Sequence, residues 1–139
     1  PARFGFVRRM IEKSKYFLIT TIFNTFPLPQ KAGFRSSFAY AGESVDRGYT
    51  VLVFPEGERT RAGNMGPFRA GIGILASNLG IPVVPLRLTG LYQFKGRHIA
   101  PPNAITVWVG PPVIFPPGTD ATTITQELES RVAALGENC

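Results

Sequence analysis

Cysteine is all but missing from this chain: Cys139, the last residue, is the single thiol among 139 residues. That excludes an internal disulfide and any cysteine-built zinc site, and it agrees with a reducing compartment. Histidine is equally scarce, with His98 alone. Acids are few, 9 against 15 Lys and Arg, and the formal charge is +6. No apolar run reaches the roughly 20 residues that a helical membrane span needs. The longest uncharged stretch, YFLITTIFNTFPLPQ at residues 16–30, is interrupted by Asn24, Pro27 and Pro29 and cannot cross a bilayer alone. The basic, apolar, small-residue order of a secretory leader is not legible at the N-terminus. Neither a recognised nucleic-acid motif nor aromatics interleaved with basic residues are found, so nucleic acid is not an expected partner.

What remains is the composition of an ordinary globular protein, 44% hydrophobic and 12% aromatic, rich in turns through 13 prolines and 15 glycines. The length suits a single domain over residues 1–139. Charge is unevenly spread. Arg3, Arg8, Arg9, Lys13, Lys15, Lys31 and Arg35 face one acid, Glu12, in the first 40 residues, whereas four acids face Arg131 after residue 100. Such a basic front attracts phosphate groups, and an anionic membrane surface or a phosphorylated substrate suits it; a plain solvated surface is the bland alternative.

Residues 4–23 space Phe4, Val7 and Met10 or Ile11 at near-helical intervals opposite Arg8, Arg9, Glu12 and Lys13, which fits a helix lying on a membrane or one packed on a sheet. Residues 16–26 read as a buried strand or a second helical segment. Phe34, Phe38, Ala41 and Val45 predict a helix stopped at Gly48, feeding a strand at residues 50–54. A helix is expected over residues 68–79 with Gly80 as its stop, and strands over 83–88 and 105–109. Thr123 and Gln126 offer a capping box for a terminal helix with the seam Ile124, Leu128, Val132 and Leu135. Alternating helices and strands predict an α/β layer, helices covering a largely parallel sheet. Arg87 reads as a structural charge at a strand end and Trp108 as core or sheet-face packing.

The stretch with chemistry is residues 51–73, VLVFPEGERTRAGNMGPFRAGIG. A strand-like run stops at Pro55 and opens into a loop carrying Glu56, Glu58, Arg59 and Arg61 among glycines, and Pro67 is expected to open a helix. Glycines let backbone approach a ligand, and a guanidinium can fork onto two phosphate or carboxylate oxygens. The loop reads as an anion site.

Phe54-Pro55-Glu56-Gly57-Glu58-Arg59-Thr60-Arg61, Gly63, Phe68-Arg69-x-Gly71 and Ile81-Pro82-Val83-Val84-Pro85, in that order and spacing, resemble the glycerolipid acyltransferases of the lysophosphatidic acid and glycerol-3-phosphate acyltransferase type. The resemblance runs over roughly residues 16–115. It implies that Glu56, Gly57 and Arg59 bind the acceptor's phosphate; charge and proximity add Arg61 and Arg69 as further contacts. An alternative is that Glu56 and Arg59 pair with each other and only orient the turn. Glu58 stands where the family usually has Thr. Gln30 stands where a family block ends in Arg, and the adjacent Lys31 is a substitute cation, though without the guanidinium fork.

The family's catalytic His-x-x-x-x-Asp lies upstream of the loop, and no histidine precedes Glu56. His98-Ile-Ala-Pro-Pro-Asn103 copies the spacing but not the chemistry: Asn103 is no carboxylate, the prolines forbid a helical turn, and the order is reversed. The chain begins without Met and the family blocks start almost at once. It is therefore expected to be the C-terminal part of an acyltransferase domain, inactive alone, with its catalytic pair upstream of residue 1. The resemblance implies transfer of a fatty acyl group from acyl-CoA or acyl-ACP to glycerol phosphate or a lysophospholipid, at the cytoplasmic face of a membrane, with no metal or redox cofactor. If upstream strands are missing, self-association through an exposed sheet edge is expected. The competing class is a non-catalytic module that binds anionic lipid or phosphate. A His-x-x-x-x-Asp upstream of Pro1 selects the enzyme.

Overall fold

A computed structural model describes Ile22, Thr25 and residues 34–58, 63–94 and 100–136. The chain divides into two compact units, residues 1–49 and 50–139. Its class is mixed α/β, with the order α1 (Phe34–Asp46), α2 (Gly71–Leu79), β1 (Leu86–Thr89), a 3-10 turn (Leu91–Phe94), β2 (Thr106–Val109) and α3 (Ala121–Ala134) among the described residues. The expected elements over residues 4–23 and 16–26 lie outside them, as do Lys31, His98 and Cys139.

In the first unit, α1 turns Phe38, Ala41 and Val45 of the predicted stripe inward together with Ser37, which the stripe did not include, and Ala41 is fully buried; the Phe34 side chain lies outside the description. It ends where expected. Gly48 takes φ +82° and donates to Val45 O at 2.8 Å, while Tyr49 N–H reaches Ser44 O at 2.9 Å. These paired bonds satisfy the last carbonyls in a Schellman turn, which a residue without Cβ makes without strain.

The second unit is built on a helix pair. α2 and α3 bury Ala76, Ile124 and Leu128 between them, with Phe68, Ile72, Val83 and Phe115 packed around that cluster. The helices approach closely at Gly73, where any Cβ would run into the carbonyl of Ala121 and the hydroxyl of Thr125. α2 stops at Gly80, φ +59°, whose N–H bonds Ala76 O at 3.1 Å. Its start differs from the expected Phe68: the first helical residue is Gly71, because residues 66–69 are drawn into bonds outside the helix. α3 begins at Ala121 rather than after Thr123. Asp120, not Thr123, is the cap, its carboxylate accepting from Thr122 N–H at 2.9 Å and Thr123 N–H at 3.2 Å.

The expected strands at 83–88 and 105–109 form, shortened to Leu86–Thr89 and Thr106–Val109. They pair antiparallel, Leu86 opposite Val109 and Arg87 opposite Trp108; no parallel pair occurs among the described residues. Alternation of apolar residues identifies a strand but carries no information on its partner's direction. The ladder resumes at a Val83–Val113 bridge after a step where Val84 and Pro85 oppose Gly110, Pro111 and Pro112. A bulge is where prolines, which have no N–H to donate, are tolerated. Residues 50–54 are not a strand among the described residues. The period-2 pattern is kept, Val51 and Val53 half-buried and Leu52 and Phe54 exposed, but no ladder partner lies alongside.

One face of the hairpin meets α3. Arg87 reaches across to it and donates from Nη1 to Ala133 O at 2.5 Å and Leu135 O at 2.7 Å. A cation at a helix C-terminus satisfies orphan carbonyls and complements the dipole, so the structural role expected of Arg87 holds. Trp108, its cross-strand neighbour, packs on Gly136, where a Cβ would sit 2.9 Å from the indole. The other face, Leu86, Leu88, Val107 and Val109, is exposed.

Candidate functional site

The charged loop leaves residues 50–54 through a tight turn. Gly57 N–H bonds Phe54 O at 3.2 Å across Pro55 and Glu56. Glu56 does not take a positive φ, so the turn is of the type I kind, which favours proline second and glycine last. Gly57 itself has φ +69°, and the Arg69 side chain lies directly over it: a Cβ there would meet Nε at 2.5 Å and Cδ at 2.7 Å. Glycine is thus required twice, for backbone conformation and for the arginine's approach.

The described stems of the loop, residues 54–58 and 63–69, are fastened together. Glu56 Oε2 accepts Gly66 N–H at 2.6 Å, and Arg69 N–H bonds Pro55 O at 2.9 Å. Arg69 Nε donates to Glu56 O at 3.0 Å, and its Nη2 stands 4.0 Å from Glu58 Oε1. That last contact is half exposed and contributes little; the bonds to Glu56 set the shape. Gly63, at φ +83°, rests against the ring of Tyr92, which a Cβ would approach to 3.1 Å.

The structure therefore brings Glu56, Gly57, Glu58 and Arg69 together. Arg59, Arg61 and Lys31 lie outside the described residues. Glu56 is engaged with Gly66 N–H, and Arg69 through Nε with the Glu56 carbonyl, so both act in closing the loop. The sequence reading missed two participants. Gly66 contributes only a backbone donor, and Glu129, which accepts Phe68 N–H at 2.8 Å, is 61 residues away. No residue-type signal marks either. Among the described residues, no three His, Cys, Asp or Glu side chains gather as a metal site would require.

A family model described as Acyltransferase matches residues 2–89, more than half of the chain and the whole of this loop. The chain belongs to the acyltransferase family. It is 41% identical over 70 residues, half of its own length, to a 1-acyl-sn-glycerol-3-phosphate acyltransferase of Pseudomonas aeruginosa. To the chloroplastic enzyme of that name from Brassica napus it is 46% identical over 48 residues, 34% of this chain. The alpha form of Mus musculus is 38% identical over 66 residues, 45% of the chain. These alignments span 27%, 14% and 23% of the relatives' own lengths. No solved structure matches the chain.

Proposed function

We propose that this chain is the acceptor-phosphate side of a 1-acyl-sn-glycerol-3-phosphate acyltransferase. In that reaction the acceptor's free hydroxyl oxygen attacks the thioester carbonyl of acyl-CoA or acyl-ACP, the carbon–sulfur bond breaks, and the hydroxyl proton passes to a base. The base is a histidine of an upstream His-x-x-x-x-Asp, oriented by the aspartate. The part of this chain is to hold the phosphate of lysophosphatidic acid with Arg59, supported by Arg61 and by a loop that Glu56, Gly57 and Arg69 close. Neither metal nor redox chemistry is invoked.

The observation that carries this reading is the pair of fastened loop stems within the family-matched segment: a positive-φ glycine under an arginine, with Glu56 tied to Gly66 N–H. Such fixed geometry is what an anion grip requires, since holding a reactant in place contributes only if the groups do not have to reorganise. In the intact enzyme, Arg59→Ala should raise the KM for lysophosphatidic acid by about tenfold or more, since charge-assisted bonds to phosphate are the strong ones. An unchanged acceptor KM in steady-state kinetics removes the assignment.

The same reading places the enzyme on the cytoplasmic face of a membrane, next to its lipid acceptor. It also takes residues 50–54 as a strand whose neighbours come from elsewhere in the parent domain, completing a largely parallel sheet. The alternation of half-buried Val51 and Val53 with exposed Leu52 and Phe54 supports this. An edge left open in this way also supports pairing between copies of the chain. Size-exclusion chromatography should then show a dimer that grows with concentration; a monomer at high concentration counts against it.

A further inference from the structure

The segment that returns from the loop to α2 has committed backbone donors, and one acceptor comes from a distant element. Gly66 N–H goes to Glu56, Pro67 has no N–H, and Arg69 N–H goes to Pro55 O. The remaining donor, Phe68 N–H, ends on Glu129 Oε2 at 2.8 Å. Glu129 follows the buried Leu128 on α3, and the ring of Phe68 packs on the cluster that contains Leu128. Phe68 is therefore held twice by α3, through its ring and through its N–H. The next residue is Arg69, which lies on Gly57 and bonds the Glu56 carbonyl.

We propose that Glu129 is a positioning residue for the acceptor-phosphate loop. By accepting Phe68 N–H it fixes the return stem against α3, and through Arg69 it sets where the turn at Gly57 sits. The inference rests on the reading of the loop as the phosphate site, and it assigns a role to a residue well outside the family-matched segment 2–89. A carboxylate oxygen suits the task because a charge-assisted bond to a backbone N–H is shorter and stronger than a neutral one. The lever is short, and misplacing a binding group by about 1 Å can cost up to about a hundredfold in rate.

The test uses the full-length polypeptide that contains this chain, with Glu129→Ala, Glu129→Gln and Arg59→Ala assayed while lysophosphatidic acid and the acyl thioester are varied separately. Glu129→Ala should raise the KM for lysophosphatidic acid about tenfold and leave the KM for the acyl thioester within about twofold. Glu129→Gln should restore most of the loss, since its amide oxygen accepts the same N–H. Hydrogen–deuterium exchange in the peptide spanning Phe68 should accelerate in Glu129→Ala and not in Glu129→Gln. If Glu129→Ala does not fold, Glu129→Leu, which keeps bulk without an acceptor, takes its place with the same expectations. Unchanged acceptor KM in the Glu129 variants alongside a raised one in Arg59→Ala overturns the positioning role and leaves the phosphate site standing. Equal rises in both KM values, or a loss that Glu129→Gln does not recover, also overturns it. A silent Arg59→Ala removes the phosphate reading itself, whatever Glu129 does.

Discussion

The helix pair α2–α3 and the segment at residues 50–54 belong to the same unit and both carry large apolar side chains, yet they end in opposite conditions. Ile124 and Leu128 are 0% and 3% exposed, whereas Leu52 and Phe54 are 66% and 67% exposed. The helices find each other because each satisfies its own backbone and needs only a packed face, and Gly73 lets those faces come close. A strand must also find a neighbour for its N–H and C=O groups, and residues 50–54 have no strand partner among the described residues, the Phe54 carbonyl being taken by the turn at Gly57. Among the described residues α2 and α3 pair, and residues 50–54 join no sheet.

The strongest way to break this comparison is truncation on both sides of it. Ile124→Ala should destabilise the chain by about 2–5 kcal/mol, the usual cost of a buried large-to-small change. Leu52→Ala should stay within about 0.5 kcal/mol, as for an exposed site. Urea denaturation of both variants checks this, and a costly Leu52→Ala would mean that residues 50–54 are covered after all. Arg87→Ala should come next. It strands the carbonyls of Ala133 and Leu135, and losing a charged hydrogen-bond donor costs about 1.5–3 kcal/mol. Arg87→Lys, able to supply charge but not the planar donor group, should recover only part of that in the same experiment.

The smallest effect concerns the start of α3. Backbone N–H bonds from Thr123 and Thr122 hold the Asp120 carboxyl below its ordinary value. Because the folded form prefers the charged state, the stabilisation is fully present above the ordinary aspartate range, about 3.9, and is lost as pH falls through the lowered folded value. A modest fall in Tm is therefore expected as the solution is acidified below that range. Asp120→Asn, which keeps an acceptor oxygen without the titration, should flatten the dependence; an unaltered pH profile would remove this explanation.

Legibility from sequence follows the same divide. The stops at Gly48 and Gly80 and the seam Ile124–Leu128 are local facts, written in φ preference and helical spacing, and they are found where the sequence places them. The starts are not local. α2 begins late because Phe68 and Arg69 donate to Glu129 and Pro55, and α3 begins early because Asp120 caps it ahead of the threonines that resemble a capping box. The direction of strand pairing lies beyond residue alternation for the same reason. At the loop, Gly57 and the clustered charges were legible from the residues alone, and the anion site read from them is our proposal. That Glu56 spends its carboxylate on Gly66, ten positions along, was not legible, because a backbone donor carries no residue signature.

Gly73 has a practical corollary. The stretch shared with other acyltransferases ends at residue 89, but the surface that shields Ala76 is supplied by Ile124 and Leu128, far downstream. A gene segment cut at the homology boundary would leave α2 with a flat, greasy flank shaped to admit a backbone that is no longer there. For anyone trimming this polypeptide for expression, a cut before the end of α3 removes that cover.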